Sequence, residues 1–154
     1  MKHKITLLSI AASLAVTLIA AGLTGSASGS SSAAGAKVGS RTSPLGRILV
    51  DARGRTLYLF EKDKRRVSTC YRACASIWPP LTTTGKPLAV RGAHAALLGT
   101  TKRKSRKVEV TYAGHQLYLY AGDAKRGDTK GEGLNQFGAK WYVLSPSGKK
   151  IDRD

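Results

Sequence analysis

Two stretches of the chain, residues 48–60 and 108–120, are rich in apolar residues that favour β-strands. In each stretch two apolar runs are separated by a short turn, and the turns contain Gly54 and Gly114. Glycine adopts the positive φ angles of tight hairpin turns at little steric cost. Both stretches therefore predict a β-hairpin.

Alternation with a period of two also assigns side chains to the two faces of these predicted hairpins. Tyr58 and Phe60 share one face, as do Tyr118 and Tyr120, while the leucines between them point to the opposite face. Because both faces are apolar, each must be covered by other parts of the chain. We expect a compact all-β fold, either a sandwich or a distorted barrel.

Further strand patterns lie near the C-terminus, and helical patterns are scarce. Residues 141–144, a turn, and a return through Ile151 predict a third ribbon. Only residues 93–98 have a helical composition, and a segment of that length is not stable by itself. The sequence thus predicts two hairpins plus a C-terminal strand with little helix.

The two hairpin stretches are copies of one another. Five identities recur at one constant spacing, without a gap: Gly54, Leu57, Tyr58, Leu59 and Asp63 are repeated as Gly114, Leu117, Tyr118, Leu119 and Asp123. Phe60 is matched by Tyr120, and a tryptophan follows each copy, Trp78 and Trp141. Two copies are too few for an elongated solenoid, so we expect repeats at about 45–100 and 101–154 to pack as one unit.

The N-terminal segment has the pattern of an export signal. A basic start precedes an uncharged apolar run at residues 5–21, and small residues follow it. We interpret residues 1–27 as a cleaved signal peptide and residues 28–44 as a flexible linker of Gly, Ser and Ala. An uncleaved membrane anchor is the alternative, since the run is close to the minimum length that spans a bilayer. The folding unit would then be a single domain at residues 45–154.

The composition is strongly basic, with a net charge of +17 at pH 7. Loss of Lys2 and Lys4 with the signal peptide would leave 24 basic and 9 acidic side chains, a net charge of +15. Such an excess attracts anionic partners over long distances but carries no information about fold.

Cys70 and Cys74 are the only cysteines of the chain. Export would carry them into an oxidising compartment, where a disulfide between them is expected to persist. A structural zinc site needs four ligands at recognisable spacings, which Cys70 and Cys74 do not form with His94 and His115, the only histidines left after export. A haem attachment also fails, because Ala75 rather than histidine follows Cys74. A redox-active pair is the alternative that stays open.

These residues resemble a known bacterial family. Two copies of Tyr-x-aromatic-x-x-Asp occur, Tyr58-x-Phe60-x-x-Asp63 and Tyr118-x-Tyr120-x-x-Asp123, together with Cys-x-x-x-Cys-Ala-x-x-Trp-Pro-Pro-Leu at 70–81 and Val-Thr-Tyr-Ala-Gly at 110–114. The combination resembles the secreted or lipoprotein repeat family named for its Tyr-x-(Phe/Trp/Tyr)-x-x-Asp motif. The resemblance covers residues 45–148 and implies an exported protein with a repeat architecture. Because the function of the family is unknown, the resemblance assigns no catalytic residues. Some relatives are loosely associated with alkane utilisation, for which the residues themselves provide no support.

Two positions depart from that family's pattern. Many relatives carry a lipid-attachment cysteine after the signal, whereas this chain has Ser26, so thioether lipidation is excluded there. The turn before the second hairpin, usually Asp-Gly in relatives, is replaced by the basic residues 103–107. We therefore expect a secreted protein that is not lipid-anchored and that presents an additional positive charge.

The repeated aspartates and one glycine-rich loop are the other candidates for chemistry. Asp63 and Asp123 could act as ligands or general bases, but a repeated carboxylate at a strand end more often accepts backbone N–H groups. The loop at residues 127–138 could wrap a phosphate, but it lacks the Gly-Lys-Ser/Thr ending of a phosphate loop. We interpret the motif residues as structural and the loop as a shaped connector.

A run of basic residues before the second hairpin is the most pronounced surface feature of the sequence. It consists of Lys102, Arg103, Lys104, Arg106 and Lys107. Such a cluster can bind a polyanion by releasing its counterions, or it can simply be a solvated hairpin tip. The available polyanions outside the membrane are anionic wall polymers, lipid headgroups and unspecific nucleic acid.

No Ser-His-Asp order, Gly-x-Ser-x-Gly elbow or close pair of carboxylates is visible in the sequence. We therefore expect an exported, non-enzymatic binding or envelope-associated module without a cofactor or metal. Anionic polymers of the cell envelope are the expected partners, without specific recognition of nucleic acid. Two alternatives stay open: an extracytoplasmic redox or electron-transfer accessory protein, and a polyanion-binding protein that uses the basic hairpin.

Overall fold

The computed structural model describes residues 34–153. The predicted signal peptide at residues 1–27, which includes Ser26, lies outside the described residues. Residues 28–33 of the predicted linker lie outside them as well.

Within residues 34–153 the chain forms ten strands, one short helix and one 3-10 turn. The strands are β1 (Lys37–Ser43), β2 (Gly46–Asp51), β3 (Tyr58–Phe60), β4 (Thr82–Thr83), β5 (Leu88–Ala89), β6 (Leu98–Lys102), β7 (Val108–Tyr112), β8 (His115–Gln116), β9 (Asn135–Gln136) and β10 (Ala139–Val143). The helix α1 covers Ala73–Ile77 and the 3-10 turn Ala95–Leu97. The prediction of an all-β fold with little helix is confirmed.

The strands form three small sheets, with the orders β2-β1-β5, β4-β7-β6 and β3-β10-β9, and β8 pairs with β7. The β1–β2 hairpin runs from Val38 opposite Asp51 to Ser43 opposite Gly46. The β6–β7 hairpin occupies the corresponding place in the second copy, with Leu98 opposite Tyr112 and Lys102 opposite Val108. Each copy of the repeat therefore begins with a hairpin of its own. The sheets do not close into a barrel.

Both predicted glycine turns are present. Gly54 has φ +79° and Gly114 has φ +85°, in the region that side-chain-bearing residues rarely adopt. After the second turn, β7 pairs with β8 as a regular hairpin. After the first turn, Val50 pairs with Thr56 through one bridge only, and the chain then leaves β2. It leaves because β3 pairs with β10, a strand from the far end of the described chain, and this tertiary pairing overrides the local hairpin pattern.

The two copies meet at equivalent residues. Tyr58 and Tyr118 lie opposite each other in an antiparallel bridge. The N–H of Tyr58 donates to the carbonyl of Tyr118 at 2.9 Å, and the N–H of Tyr118 donates to the carbonyl of Tyr58 at 3.0 Å. A reciprocal bond between equivalent residues of the two copies is what an approximate two-fold axis between them requires. The expectation that the copies pack as one unit agrees with this bridge.

The core has two parts, one on each face of the motif strands. The leucine face is a cluster of Val38, Leu49, Leu57, Leu59, Leu81, Val110, Tyr112, Leu117, Leu119, Tyr142 and Leu144. The aromatic face is a cluster of Ile48, Val50, Tyr58, Phe60, Cys70, Cys74, Trp78, Tyr118, Trp141 and Val143. The predicted separation of leucines from aromatic residues is therefore present in both copies.

The prediction of a flexible linker up to residue 44 is wrong over Lys37–Ser43, which form β1. This strand pairs with β2 along its whole length, and Val38 is fully buried. Its small residues are needed for close packing, because a Cβ on Gly39 would lie 3.1 Å from the carbonyl oxygen of Val90. A Gly- and Ser-rich composition therefore belongs here to a closely packed strand and not to a linker.

The C-terminal ribbon and the short helical segments were also subjects of the sequence predictions. The predicted C-terminal ribbon is present: Leu144 bridges Lys150, and the N–H of Ile151 donates to the carbonyl of Val143 at 2.8 Å. The helical composition at residues 93–98 produces only the 3-10 turn, whereas α1 has no counterpart among the predicted elements. Within residues 34–153, no helix combines the length and the apolar character that crossing a membrane requires.

Candidate functional site

The aromatic face contains a continuous stack of four rings drawn from both copies. Phe60 stacks on Trp141 with ring centroids 4.0 Å apart, Trp141 stacks on Trp78 at 3.9 Å, and Trp78 stacks on Tyr120 at 4.3 Å. Phe60 and Tyr120 occupy equivalent positions of the repeat, so equivalent residues of the two copies form the two ends of the stack. Such stacks bury much apolar area and add pairwise attraction, which stabilises the junction of the copies.

The motif tyrosines and aspartates exchange partners between the copies. The hydroxyl of Tyr58 in the first copy donates to Asp123 Oδ2 in the second copy at 2.6 Å. The hydroxyl of Tyr118 in the second copy donates to Asp63 Oδ2 in the first copy at 2.6 Å. Each tyrosine of the motif therefore donates to the aspartate of the other copy, which gives two equivalent Tyr–Asp hydrogen bonds between the copies.

The second oxygen of each motif carboxylate is also occupied. Asp63 Oδ1 accepts the backbone N–H and the hydroxyl of Thr69, both at 2.7 Å. Asp123 Oδ1 accepts the backbone N–H of Lys130 at 3.0 Å. These are the contacts that a carboxylate with a structural role makes at the end of a strand.

Burial shifts the pKa values of these four groups. Burial, followed by the neighbouring carboxylates, raises the pKa values of Tyr58 and Tyr118 far above the ordinary tyrosine value. Burial also raises the pKa values of Asp63 and Asp123, against the opposing effect of the tyrosine hydrogen bonds. Phenols with raised pKa values stay protonated at neutral pH, so both tyrosines remain hydrogen-bond donors.

Arg103 belongs to a second buried polar network rather than to the surface. Its Nη1 lies 2.7 Å from Glu109 Oε2 and 2.6 Å from Ser68 Oγ, and its Nη2 donates to the carbonyl of Cys70. The guanidinium also lies over the ring of Tyr71, 4.4 Å from its centroid. The side chains of Arg103 and Glu109 are 3% and 0% exposed. This network ties the β6–β7 hairpin to the cysteine loop.

The interpretation of Arg103 as a polyanion contact is therefore wrong. A buried carboxylate is stabilised by a nearby opposite charge, and Arg103 lies in the interior because it pairs with Glu109. Burial nevertheless raises the pKa of Glu109 to about 7, because Arg103 offsets only part of the desolvation. Glu109 Oε1 has no hydrogen-bond partner among the described residues. The other four basic residues of the run are exposed at the hairpin tip: Lys102, Lys104, Arg106 and Lys107.

The predicted disulfide joins Cys70 and Cys74. Cys70 is fully buried and Cys74 is 6% exposed, and both belong to the aromatic cluster. The N–H of Trp78 donates to the carbonyl of Cys74 at 2.7 Å, so the bridge lies one turn before the stacked tryptophan. Among the described residues, no group of three potential metal ligands lies close enough to hold an ion.

The glycine-rich loop passes directly over the aromatic stack. A Cβ on Gly131 would lie 2.7 Å from the ring of Trp78 and 2.9 Å from the ring of Tyr58. Glu132 Oε2 accepts the N–H of Val143 at 2.6 Å, which fastens the loop to β10. These contacts are those of a connector that covers the core, and the glycine at position 131 is required by the close approach.

The fold and these contacts define an all-β protein of two interlocked copies, with its repeated motif residues turned inward. The chain belongs to the family described as a secreted repeat of unknown function, whose model matches residues 39–82 and 99–145. The two matches coincide with the two copies and confirm the resemblance found in the sequence. A search of curated proteins and a search of solved structures returned no match.

Proposed function

We propose that this protein is an exported, non-enzymatic binding module that associates with anionic polymers of the cell envelope. Membership in a family described as secreted supports a location outside the cytoplasm. The signal-like pattern of residues 1–27 supports export, and Ser26 supports a protein without a lipid anchor. The observation that carries the proposal is the unequal placement of acidic and basic side chains.

The acidic side chains of the described residues are engaged by other groups of the chain. Of nine in the sequence, all but Asp154 lie in the described residues, and each of those eight accepts a hydrogen bond or forms an ion pair. They are Asp51, Glu61, Asp63, Glu109, Asp123, Asp128, Glu132 and Asp152. An external cation would have to compete with these internal partners. The excess of basic over acidic side chains leaves the surface with a net positive charge.

The basic side chains are mainly at the surface. Residues 34–153 contain 24 of the 26 lysines and arginines, because Lys2 and Lys4 precede them. Four exposed cations cluster at the β6–β7 tip, at Lys102, Lys104, Arg106 and Lys107. A positive field of this size concentrates polyanions near the protein and releases counterions on contact.

The state of the motif residues supports a non-enzymatic role. Both motif carboxylates have their oxygens engaged by the fold, and both motif tyrosines hold their protons through raised pKa values. A general base or a nucleophile needs a group that is free to exchange a proton with a substrate. The Tyr–Asp hydrogen bonds between the copies leave no such group free.

The proposal is tested by the salt dependence of binding to a wall-type polymer. Purified protein without the predicted signal peptide, residues 1–27, is titrated onto poly(glycerol phosphate) and onto an uncharged polysaccharide at several salt concentrations. We expect binding to the anionic polymer alone, with log K falling linearly with log salt by about 0.7 for each phosphate contacted. Binding that ignores salt, or no binding to the anionic polymer at low salt, would contradict the proposal.

A further inference from the structure

An open cleft lies beside the first copy of the repeat. It has a volume of about 670 Å³ and is bounded by β1, the turn after β2 and the loops at residues 90–91 and 126. Four basic residues line it: Lys37, Arg41, Arg91 and Arg126. Arg41 is half-buried, whereas the other three are exposed. Positive charges around a concave surface reinforce one another's field at its centre.

Two of these arginines pack closely on glycine backbone, and Arg126 Nε also donates to the carbonyl of Arg53 at 2.6 Å. The N–H of Gly127 donates to the carbonyl of Gly54 at 3.0 Å, which joins two loops. A Cβ on Gly54 would lie 3.1 Å from Arg126 Nε, and a Cβ on Gly127 would lie 2.7 Å from Arg41 Cζ. Each arginine therefore packs against one glycine of the joined pair. The two guanidinium groups converge on a single backbone junction.

The acidic residues of the same loops do not serve as counter-charges for these arginines in the contacts that the structure shows. Asp51 pairs with Arg55 at 2.7 Å and also accepts the N–H groups of residues 53 and 55. Asp128 accepts the N–H groups of residues 124 and 125 and lies 3.5 Å from Lys130 Nζ. Asp51 itself lines the cleft, but its side chain is only 5% exposed and is paired with Arg55, so the four basic residues outnumber the acidic lining.

The second copy of the repeat provides an internal comparison. There an arginine also packs on the turn glycine, since a Cβ on Gly114 would lie 3.1 Å from Arg65 Nε. The position that corresponds to Arg41 in the second copy is Thr101, whose hydroxyl donates to the carbonyl of Arg66 at 2.6 Å. The packing of an arginine on the turn is therefore common to both copies, whereas Arg41 is specific to the first. The fold does not require a cation at that position.

We propose that this cleft binds a phosphate group of a phosphodiester-linked wall polymer, an inference that rests on the proposed function. Guanidinium groups present paired N–H donors whose geometry matches phosphate oxygens. Arg41 and Arg126, which pack on the two glycines of one backbone junction, would bind one phosphate, and Lys37 and Arg91 would contact its neighbours. Carboxylate polymers of equal charge would bind less tightly, because the cleft selects for phosphate geometry as well as for charge.

The test compares two variants that remove equal charge from different places. The cleft variant is Arg41→Gln, Arg91→Gln and Arg126→Gln, and the tip variant is Lys104→Gln, Arg106→Gln and Lys107→Gln. The probe is a trimer of glycerol phosphate, and an oligoglutamate trimer is the carboxylate comparison. Calorimetry measures the affinity, amide shifts in NMR spectra locate the probe, and thermal unfolding shows that each variant is folded.

We expect the cleft variant to bind the phosphate trimer at least about tenfold more weakly, since charge-assisted hydrogen bonds are lost. The tip variant should change the affinity by less than about twofold and keep the preference for phosphate over carboxylate. Amide shifts should centre on residues 39–42 and 126–127.

Three results would overturn the inference. If both variants weaken the binding of the phosphate trimer equally while the wild type binds the polymer, the cleft is not the phosphate site and the proposed function is unaffected. Absence of binding to both trimer and polymer would remove both. Tighter binding of a single-stranded DNA oligonucleotide at the same residues would show that the wall polymer is the wrong partner.

Discussion

Replacement of Arg103 by methionine should destabilise the fold strongly, although the residue lies within a basic surface run. The substitution leaves Glu109, whose side chain is 0% exposed, without its counter-charge, and it leaves Ser68 and the carbonyl of Cys70 without a donor. Removal of one partner from a buried ion pair costs about 3–5 kcal/mol. Against a typical total of about 5–15 kcal/mol for a domain, this loss is a large fraction.

The size of this effect should depend on pH. Burial raises the pKa of Glu109 to about 7 in the folded chain, above the ordinary value of 4.5, so its ionisation opposes folding. The stability contributed by protonated Glu109 is fully present below pH 4.5 and declines as pH rises toward 7. Loss of Arg103 raises this pKa further, because the opposing charge is gone. The destabilisation by Arg103→Met should therefore be larger at pH 8 than at pH 4.5, where only the lost hydrogen bonds to Ser68 and Cys70 contribute.

Urea unfolding with the disulfide intact, followed by tryptophan fluorescence, measures the effect at pH 8 and pH 4.5. Lys104→Met is the matched control, because it removes a neighbouring exposed charge and should change stability by less than about 0.5 kcal/mol. The double variant Arg103→Met, Glu109→Leu should recover much of the loss. If Arg103→Met behaves like the control at pH 8, or if its effect is independent of pH, the assignment of a buried ion pair is wrong.

Three further predictions concern other positions. Glu132→Gln should raise the free energy of unfolding at pH 7 and not at pH 4. Burial raises the pKa of the Glu132 carboxyl, so its ionisation at pH 7 opposes folding, and glutamine can still accept the N–H of Val143. Urea titrations at both pH values measure the effect, and a gain that persists at pH 4 would contradict the prediction. Gly114→Ala should cost about 1 kcal/mol through its positive φ, measured in the same titration, and an unchanged midpoint would argue against the turn. Reduction of the Cys70–Cys74 bridge should cost about 2 kcal/mol, seen as a lower urea midpoint with reductant, whereas complete unfolding in reductant alone would show that the bridge does more than close a short loop.

The pattern of side chains was sufficient to predict the two faces of the core. Alternation along a strand is a local property, so Tyr58 and Phe60 could be separated from Leu57 and Leu59 without knowledge of the strand partners. The turns at the two glycines are equally local. Both features could be predicted because they depend only on residues that are neighbours in sequence.

The exchange of motif partners could not be predicted in the same way. Tyr58 and Asp63 lie close together in sequence, and a local interpretation places the carboxylate near its own strand end. Their actual partners depend on the bridge between Tyr58 and Tyr118, which is a non-local register. The repeat indicated that the copies are equivalent but did not indicate which atoms join them.

Composition misled the prediction in two places for physical reasons. A count of charges treats every basic residue of a run as solvated, and it cannot show that Glu109 draws Arg103 into the interior. A Gly- and Ser-rich segment has the composition of a linker, yet small residues are also what a closely packed strand such as β1 requires. The only sequence signal for the buried pair was a single acidic residue beside a dense basic run.

A pair of double-mutant cycles tests most directly whether the motif residues fasten one copy to the other instead of serving a ligand. One cycle combines Tyr58→Phe with Asp123→Ala, and the other combines Tyr58→Phe with Asp63→Ala, each followed by urea unfolding. The exchanged pairing predicts a coupling energy of about 1–2 kcal/mol for Tyr58 with Asp123 and less than about 0.5 kcal/mol for Tyr58 with Asp63. Coupling found only within a copy, between Tyr58 and Asp63, would contradict the account.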